Sequence, residues 1–237
     1  MLLAIFSFIG MYEFYRMALP ERTIEGWLAA FCGTLLIFLP LFNDCRLALA
    51  ALTFLFLGFA LLFLFRIRDI STAARDISYA TLAFLYIPLL LMHLVLLRQL
   101  SHGVEWLLVI MLIVMTNDSA AYYTGSAFGK NRLYPLVSPK KSIEGALGGL
   151  VGSIGGTLLA KFTFFPQLSL LDALLTAVFI GMIGQAGDLF ESLLKRSFGV
   201  KDSGSIIPGH GGVLDRLDSI IFAAPATYYY AIFIFKG

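Results

Sequence analysis

Long apolar runs separated by short polar stretches occupy almost the whole chain, at roughly 1–15, 26–42, 47–65, 77–97, 104–122, 145–165, 170–194 and 217–235. None of them alternates at every second residue, as a barrel strand with one face to lipid would, so each reads as helix. Most approach the ~20 residues that a helix needs to cross a bilayer. The pattern therefore predicts an all-α fold: a polytopic integral membrane bundle of about eight transmembrane helices, in one domain over residues 1–237. The first run has neither a basic leader nor an Ala-x-Ala cleavage site, so it reads as a span, or what is left of one, and not as a signal peptide.

Composition agrees with that pattern. Hydrophobic residues make up 59% of the 237 and charged ones 14%, with a mean hydropathy of +0.87. So little polar sequence cannot cover a water-soluble globule. The net charge of +2 decides nothing; the distribution of the cations does. With the spans alternating, one side collects Arg16, Arg22, Arg66, Arg68, Arg75, Lys130, Arg132, Lys140, Lys141, Lys195, Arg196, Lys201 and Arg216. The other holds only Arg46, Arg98, Lys161 and Lys236. A split of thirteen to four makes the first side cytoplasmic by the positive-inside rule and puts both ends of the chain outside. These cations sit in short loops between spans and form no soluble basic face, so nucleic-acid binding has no support. Cys32 falls inside a span and Cys45 in a short outer loop, which implies neither a disulfide nor a thiolate metal site.

Two polar clusters interrupt the apolar pattern. The denser one, 192–218, contains Lys195, Arg196, Lys201 and Arg216, the carboxylates Asp202, Asp215 and Asp218, and the turn Pro208-Gly209-His210-Gly211-Gly212. Glycines there let backbone approach a ligand closely, and cations with carboxylates suit a metal-bound polyphosphate. Just before it, Asp188, Glu191 and Lys195 stand at helical spacing on one face, which must look into the protein. A paired structural carboxylate is one reading of that face and a metal site the other; Asp215 and Asp218 on a further helical turn favour the metal. Oxygen ligands without cysteine, and with a single histidine, point to Mg²⁺ and away from zinc. His210 could contact a phosphate or merely brace its turn.

The second cluster runs from Asn117 to Gly145. Asp118 ends an apolar helix, and Ser138, Lys140, Lys141 and Ser142 precede the next. Snorkelling lysines at an interface would explain the pair. An anion held at a helix N-terminus would explain it together with the serines. The glycines at 145, 148, 149, 152, 155 and 156 allow close helix contact, within one chain or across a homodimer seam.

Residues 192–218 resemble the signature of the phosphatidate cytidylyltransferases, the CDP-diacylglycerol synthases. The resemblance rests on Ser192, Leu194-Lys195-Arg196, Lys201-Asp202, Gly204, Ile207-Pro208, His210-Gly211-Gly212, Asp215-Arg216 and Asp218, all at the family's spacing. The stretches 118–129 and Ser138-Pro139-Lys140-Lys141 resemble the preceding conserved part. The match is specific from about residue 117 on, so 111–237 reads as the catalytic part and 1–110 as less specific helices. Ile143 departs from the family, where an aromatic residue is common. Tyr12-Glu13-Phe14-Tyr15-Arg16 resembles a motif usually preceded by another span, so the amino-terminal end looks one helix short.

The resemblance implies the reaction of CTP with phosphatidate to give CDP-diacylglycerol and pyrophosphate at the cytoplasmic face of a bacterial inner membrane. It implies Asp188 and Asp215 as ligands of Mg²⁺, with Glu191 and Asp218 behind them, or together with Asp118 holding a second cation. Lys201 and Arg216 are then catalytic cations. Ser138, Lys140, Lys141, Lys195, Arg196, His210, Gly211, Gly212 and Asp118 become the candidate substrate contacts. A CTP-dependent transferase or kinase acting on another lipid, such as a polyprenol, would use a similar cluster. An ion-coupled transporter would use Asp118, Asp188 and Asp215 but leave the cationic loop unexplained.

Overall fold

The structure, a computed structural model, describes residues 1–42, 44–67, 69–206 and 211–235. Its helices are α1 (Leu2–Ala18), α2 (Thr23–Leu36), α3 (Cys45–Phe65), α4 (Ala73–Tyr86), α5 (Pro88–Arg98), α6 (Gly103–Phe128), α7 (Ile143–Thr163), α8 (Leu170–Ser197) and α9 (Leu214–Phe233). A 3-10 turn, Leu39–Phe42, follows α2, and strands β1 (Arg132–Tyr134) and β2 (Ser138–Ser142) form an antiparallel hairpin between α6 and α7. The all-α expectation stands, with this one hairpin in a stretch that carries no alternating apolar signal.

Among the described residues, six segments are long and apolar enough to cross a membrane: Thr23–Phe42, Arg46–Phe65, Ala73–Arg98, Gly103–Phe128, Ile143–Thr163 and Leu170–Ser197. The polytopic helical bundle stands, with six candidate spans by length and apolarity against the eight or so expected. α1 has 17 residues and includes Glu13 and Arg16, and α9 opens on Asp215, Arg216 and Asp218. The run at 77–97 is two helices. Proline at 88 has no N–H to continue the ladder of α4, and the chain turns at Ile87 (φ −92, ψ −75) before α5 resumes.

Two compact units emerge from the packing. The first comprises 1–95 and 202–216. There α1 and α2 pack through Phe8 and Tyr12 against Trp27, with Gly26 letting α2 lie against Tyr15. Asp44 caps α3 by accepting from the amides of Arg46 and Leu47. Arg22 is buried between Asp76 (2.8 Å) and Glu25 (3.7 Å), with its guanidinium over the ring of Phe63, and Arg66 reaches the same Glu25. A buried guanidinium is tolerated only with such partners, so this network ties α2, α3 and α4 together.

The second unit comprises 96–201 and 217–237. Its core joins Trp106, Phe165, Tyr230 and Phe235 edge to face, and the Tyr230 hydroxyl donates to Asp172 (2.8 Å). α6 and α7 lie against each other along the glycine stripe. A Cβ at Gly152 would come within 2.5 Å of Ala120 and of the Thr116 carbonyl, and one at Gly156 within 2.6 Å of Thr116 Oγ1. Gly145, Gly148 and Gly149 also face α6, while Gly155 meets open space. The stripe therefore serves contact within the chain. α8 ends at Phe198 and a left-handed Gly199 (φ 74), where the Val200 amide returns to the Lys195 carbonyl (2.9 Å).

Candidate active site

In the second unit the ends of α6 and α8, the start of α7 and the hairpin enclose a cavity of about 480 Å³. Asn117, Asp118, Tyr122 and Ser126 line it from α6, Arg132, Lys140, Lys141 and Ser142 from the hairpin, and Gln185 and Asp188 from α8. Local sequence explains how the hairpin is aimed. Glu144, in the first turn of α7, accepts from the backbone N–H of Lys130 (3.1 Å) and from the Asn131 side chain (2.8 Å). Arg132 donates to the Lys140 carbonyl (3.3 Å), and Ser142 caps α7 by accepting from the Gly145 amide (3.1 Å). These bonds hold β2 over the cavity mouth, where Lys141 forms an ion pair with Asp188.

The floor is a chain of amides. Ser153 Oγ donates to the Gly149 carbonyl (3.2 Å) and accepts from Asn117 Nδ2 (2.8 Å). Gln185 Nε2 donates to Asn117 Oδ1 (3.0 Å) and to the Ala146 carbonyl (2.9 Å). Because backbone carbonyls anchor this chain at both ends, both amides have one allowed orientation. Around the cavity, Asp118, Asp188, Glu191 and Asp218 act on one another electrostatically, and Lys141 offsets part of that repulsion at Asp118. Glu191 is fully buried and holds Lys195 at 2.8 Å, one turn along α8.

The candidate residues thus divide among several settings. Asp118, Asp188, Lys140 and Lys141 line one cavity. Ser138 is half-buried at the start of β2, paired with Tyr134. Lys195 is a buried partner of Glu191, whereas Arg196 is exposed and donates to the Val200 carbonyl (3.3 Å). Lys201 and Arg216 are exposed. Asp215 belongs to the first unit, where its Oδ2 accepts from the amides of Ser203 (2.9 Å) and Gly212 (2.8 Å). Asp188, the other carboxylate expected on the same metal, belongs to the second unit. Gly211 has a left-handed backbone (φ 82), and a Cβ there would lie 2.5 Å from Asp215 Oδ2. The space beside it is thus filled by a carboxylate of the protein itself. His210 lies outside the described residues.

A family model for the cytidylyltransferases matches residues 1–234. The chain belongs to the cytidylyltransferase family. It is therefore an enzyme, a nucleotidyltransferase, built into a membrane by its apolar helices. It is 36% identical to a phosphatidate cytidylyltransferase of Staphylococcus saprophyticus, over 92% of this chain and 84% of the relative. To the Staphylococcus aureus protein of that name it is 32% identical, over 93% and 85%. With the Bacillus subtilis one it shares 40% identity over 65% of this chain and 58% of the relative.

The sequence singles out Asp118, Asp188, Lys140 and Lys141 of this cavity but gives no such prominence to Arg132, Tyr122, Ser126 and Gln185. Gln185 carried a usable signal: an amide inside an apolar helix must find partners in the protein. Arg132 carried none beyond its charge, because the hairpin that brings it to the cavity is made by contacts with Glu144 and Lys140.

Proposed function

We propose that the protein transfers the cytidylyl group of CTP to phosphatidate, forming CDP-diacylglycerol and pyrophosphate on the cytoplasmic side of the membrane. The observation that carries this reading is the 480 Å³ cavity lined by Arg132, Lys140 and Lys141 together with Asp118 and Asp188, the two carboxylates standing within the apolar helices α6 and α8. Its volume lies in the range of small-molecule sites, about 300–1,000 Å³. A phosphatidate oxygen, already ionised near neutral pH, attacks the α-phosphorus of CTP; the bond from that phosphorus to the bridging oxygen breaks, and pyrophosphate leaves. Neither step needs a general base. The residues have only to bring two polyanions together and to neutralise the charge that builds up on the leaving group. Arg132 offers a planar fork to phosphate, and Lys140 and Lys141 offer point charges.

The reaction calls for a divalent cation, and the cavity's donor set fits one. Asp188 already holds a cation, the Lys141 ammonium, and its neighbours are hard oxygens. Among the described residues no three of His, Cys, Asp and Glu are grouped to hold a metal. The reading instead rests on Mg²⁺ commonly taking only one or two carboxylates and completing its shell with water and substrate phosphates. Asp188, with Asp118 beside it, would hold the ion. When bound, Mg²⁺ supplies Lewis-acid stabilisation of the pyrophosphate.

The deciding experiment incubates purified protein with CTP, Mg²⁺ and phosphatidate and looks for cytidine linked to lipid. Formation of that product with stoichiometric pyrophosphate is expected. Phosphorylation of a polyprenol in its place, or no nucleotide dependence at all, would overturn the reading.

A further inference from the structure

Glu13 is a carboxylate in the middle of an apolar helix, and the proposed chemistry has no use for it. It is 2% exposed. Ion pairing does not account for its burial; three hydrogen bonds to the segment 202–216 of the same unit do. Oε1 accepts from the Val213 amide (3.0 Å), and Oε2 accepts from the Leu214 amide (2.9 Å) and the Ser203 hydroxyl (3.1 Å). These amides open α9, and the first amides of a helix have no partner within it. Serine, threonine, asparagine or aspartate just before the helix would normally serve. Here that position is Val213, which has no side-chain acceptor, and both Val213 and Leu214 are buried away from water. The cap comes from α1, some 200 residues earlier.

The same carboxylate explains two glycines of the signature. A Cβ at Gly204 would lie 2.5 Å from Glu13 Oε1, and one at Gly212 would meet first Ser203 Oγ, itself bonded to Glu13, and then Glu13 Oε2 (2.5 Å). Through Ser203 the tie extends to Asp215. The Ser203 hydroxyl lies within hydrogen-bond reach of both Glu13 Oε2 and Asp215 Oδ2 (3.0 Å), and the Ser203 amide donates to Asp215 Oδ2 (2.9 Å).

We propose that Glu13 is a positioning residue: its carboxylate caps α9 from a distance, pins Ser203, and so fixes the backbone that carries Asp215 and the following Arg216. The chemistry of the group matters as much as its shape. A glutamine at 13 keeps one acceptor but turns an NH₂ towards backbone N–H groups, placing donor against donor. An aspartate keeps the charge but falls one methylene short of its three partners.

For its kinetic arm the inference rests on the proposed cytidylyl transfer and on the roles that the family resemblance implies for Asp215 and Arg216; its second arm rests on geometry alone. In the first, Glu13→Gln and Glu13→Asp are assayed per folded molecule beside Asp76→Asn, which breaks the Arg22 network elsewhere in the unit. Turnover of Glu13→Gln should fall about 10²-fold, the scale expected of a misplacement near 1 Å. Glu13→Asp should lose less, and Asp76→Asn should keep its turnover even where it melts earlier. In the second arm, hydrogen exchange at the Val213 and Leu214 amides should speed up in Glu13→Gln with no change across 73–86. Wild-type turnover per folded Glu13→Gln molecule would overturn the proposal, leaving Glu13 a stabilising residue only. Lost turnover with unchanged exchange at 213 and 214 would overturn it too. If the wild-type protein makes no lipid-linked cytidine, the functional reading falls, and the exchange arm still decides whether Glu13 holds the loop. Should Glu13→Gln fail to fold, Glu13→Asp carries both arms.

Discussion

Lys141 and Asp188 form an ion pair at the mouth of the cavity, and their side chains are 30% and 28% exposed. A pair that wet contributes little to stability, about 0–1 kcal/mol. Its value lies in placing a carboxylate and an ammonium where two anionic substrates must meet. Asp188→Asn keeps the size of the side chain but removes the charge that a divalent cation needs. Turnover should therefore fall on the order of 10²–10³-fold, as when one preorganised electrostatic contact is lost, while the melting temperature in detergent moves by only a few degrees. Parallel measurement of CDP-lipid formation and thermal unfolding tests this. A variant that loses activity only in proportion to its unfolding would remove Asp188 from the chemistry. The same contrast separates Glu191 and Lys195 from the cavity residues: one turn further along α8 their pair is buried, so breaking it should cost more stability than breaking the wetter Lys141–Asp188 pair.

At the scale of elements, the junction of α6 with α7 governs the site, because Asn117 and Asp118 ride on the first helix and Ser142, Gly145 and Ala146 frame the second. Their closeness depends on absent side chains. Gly152→Leu would drive a branched side chain into Ala120 and the Thr116 carbonyl. Overpacking of this kind costs about 1–3 kcal/mol or more, so the variant should melt earlier and lose activity through a displaced Asp118. Gly155→Leu, on the open side of α7, should leave both quantities close to wild type. Equal effects of the two substitutions would show that the stripe packs elsewhere, for example against a second copy of the chain.

For the whole molecule, the thirteen-to-four division of cations predicts that the hairpin and the loop after α8 face the cytoplasm. Ser203 is a poor reporter of this because it is buried and hydrogen-bonded to Asp215. Leu136, at the tip of the hairpin, and Ser205 are exposed. In a chain with Cys32 and Cys45 replaced by serine, Leu136→Cys and Ser205→Cys should resist an impermeant thiol reagent on intact cells and react once the membrane is opened. Labelling from outside would invert the topology and place the cavity on the wrong side for cytoplasmic CTP.

Properties carried by short stretches of chain were legible without coordinates. Run length and the lack of two-residue alternation marked the helices, because a segment in lipid must satisfy its own backbone hydrogen bonds. The motif over 192–218 marked the family, and the uneven cations predict which side each loop faces. Tertiary structure alone decided which of those residues meet. Helices that are apolar on every face carry no polar stripe to show which side turns inward, so hydropathy is silent about rotation and partner choice. The pairing of Lys141 with Asp188, the amide chain beneath the cavity and the hairpin that carries Arg132 all follow from how α6, α7 and α8 pack. Most remote from any local signal is the cap of α9: its own flanking residue, Val213, cannot provide one, and folding supplies Glu13 from the opposite end of the chain.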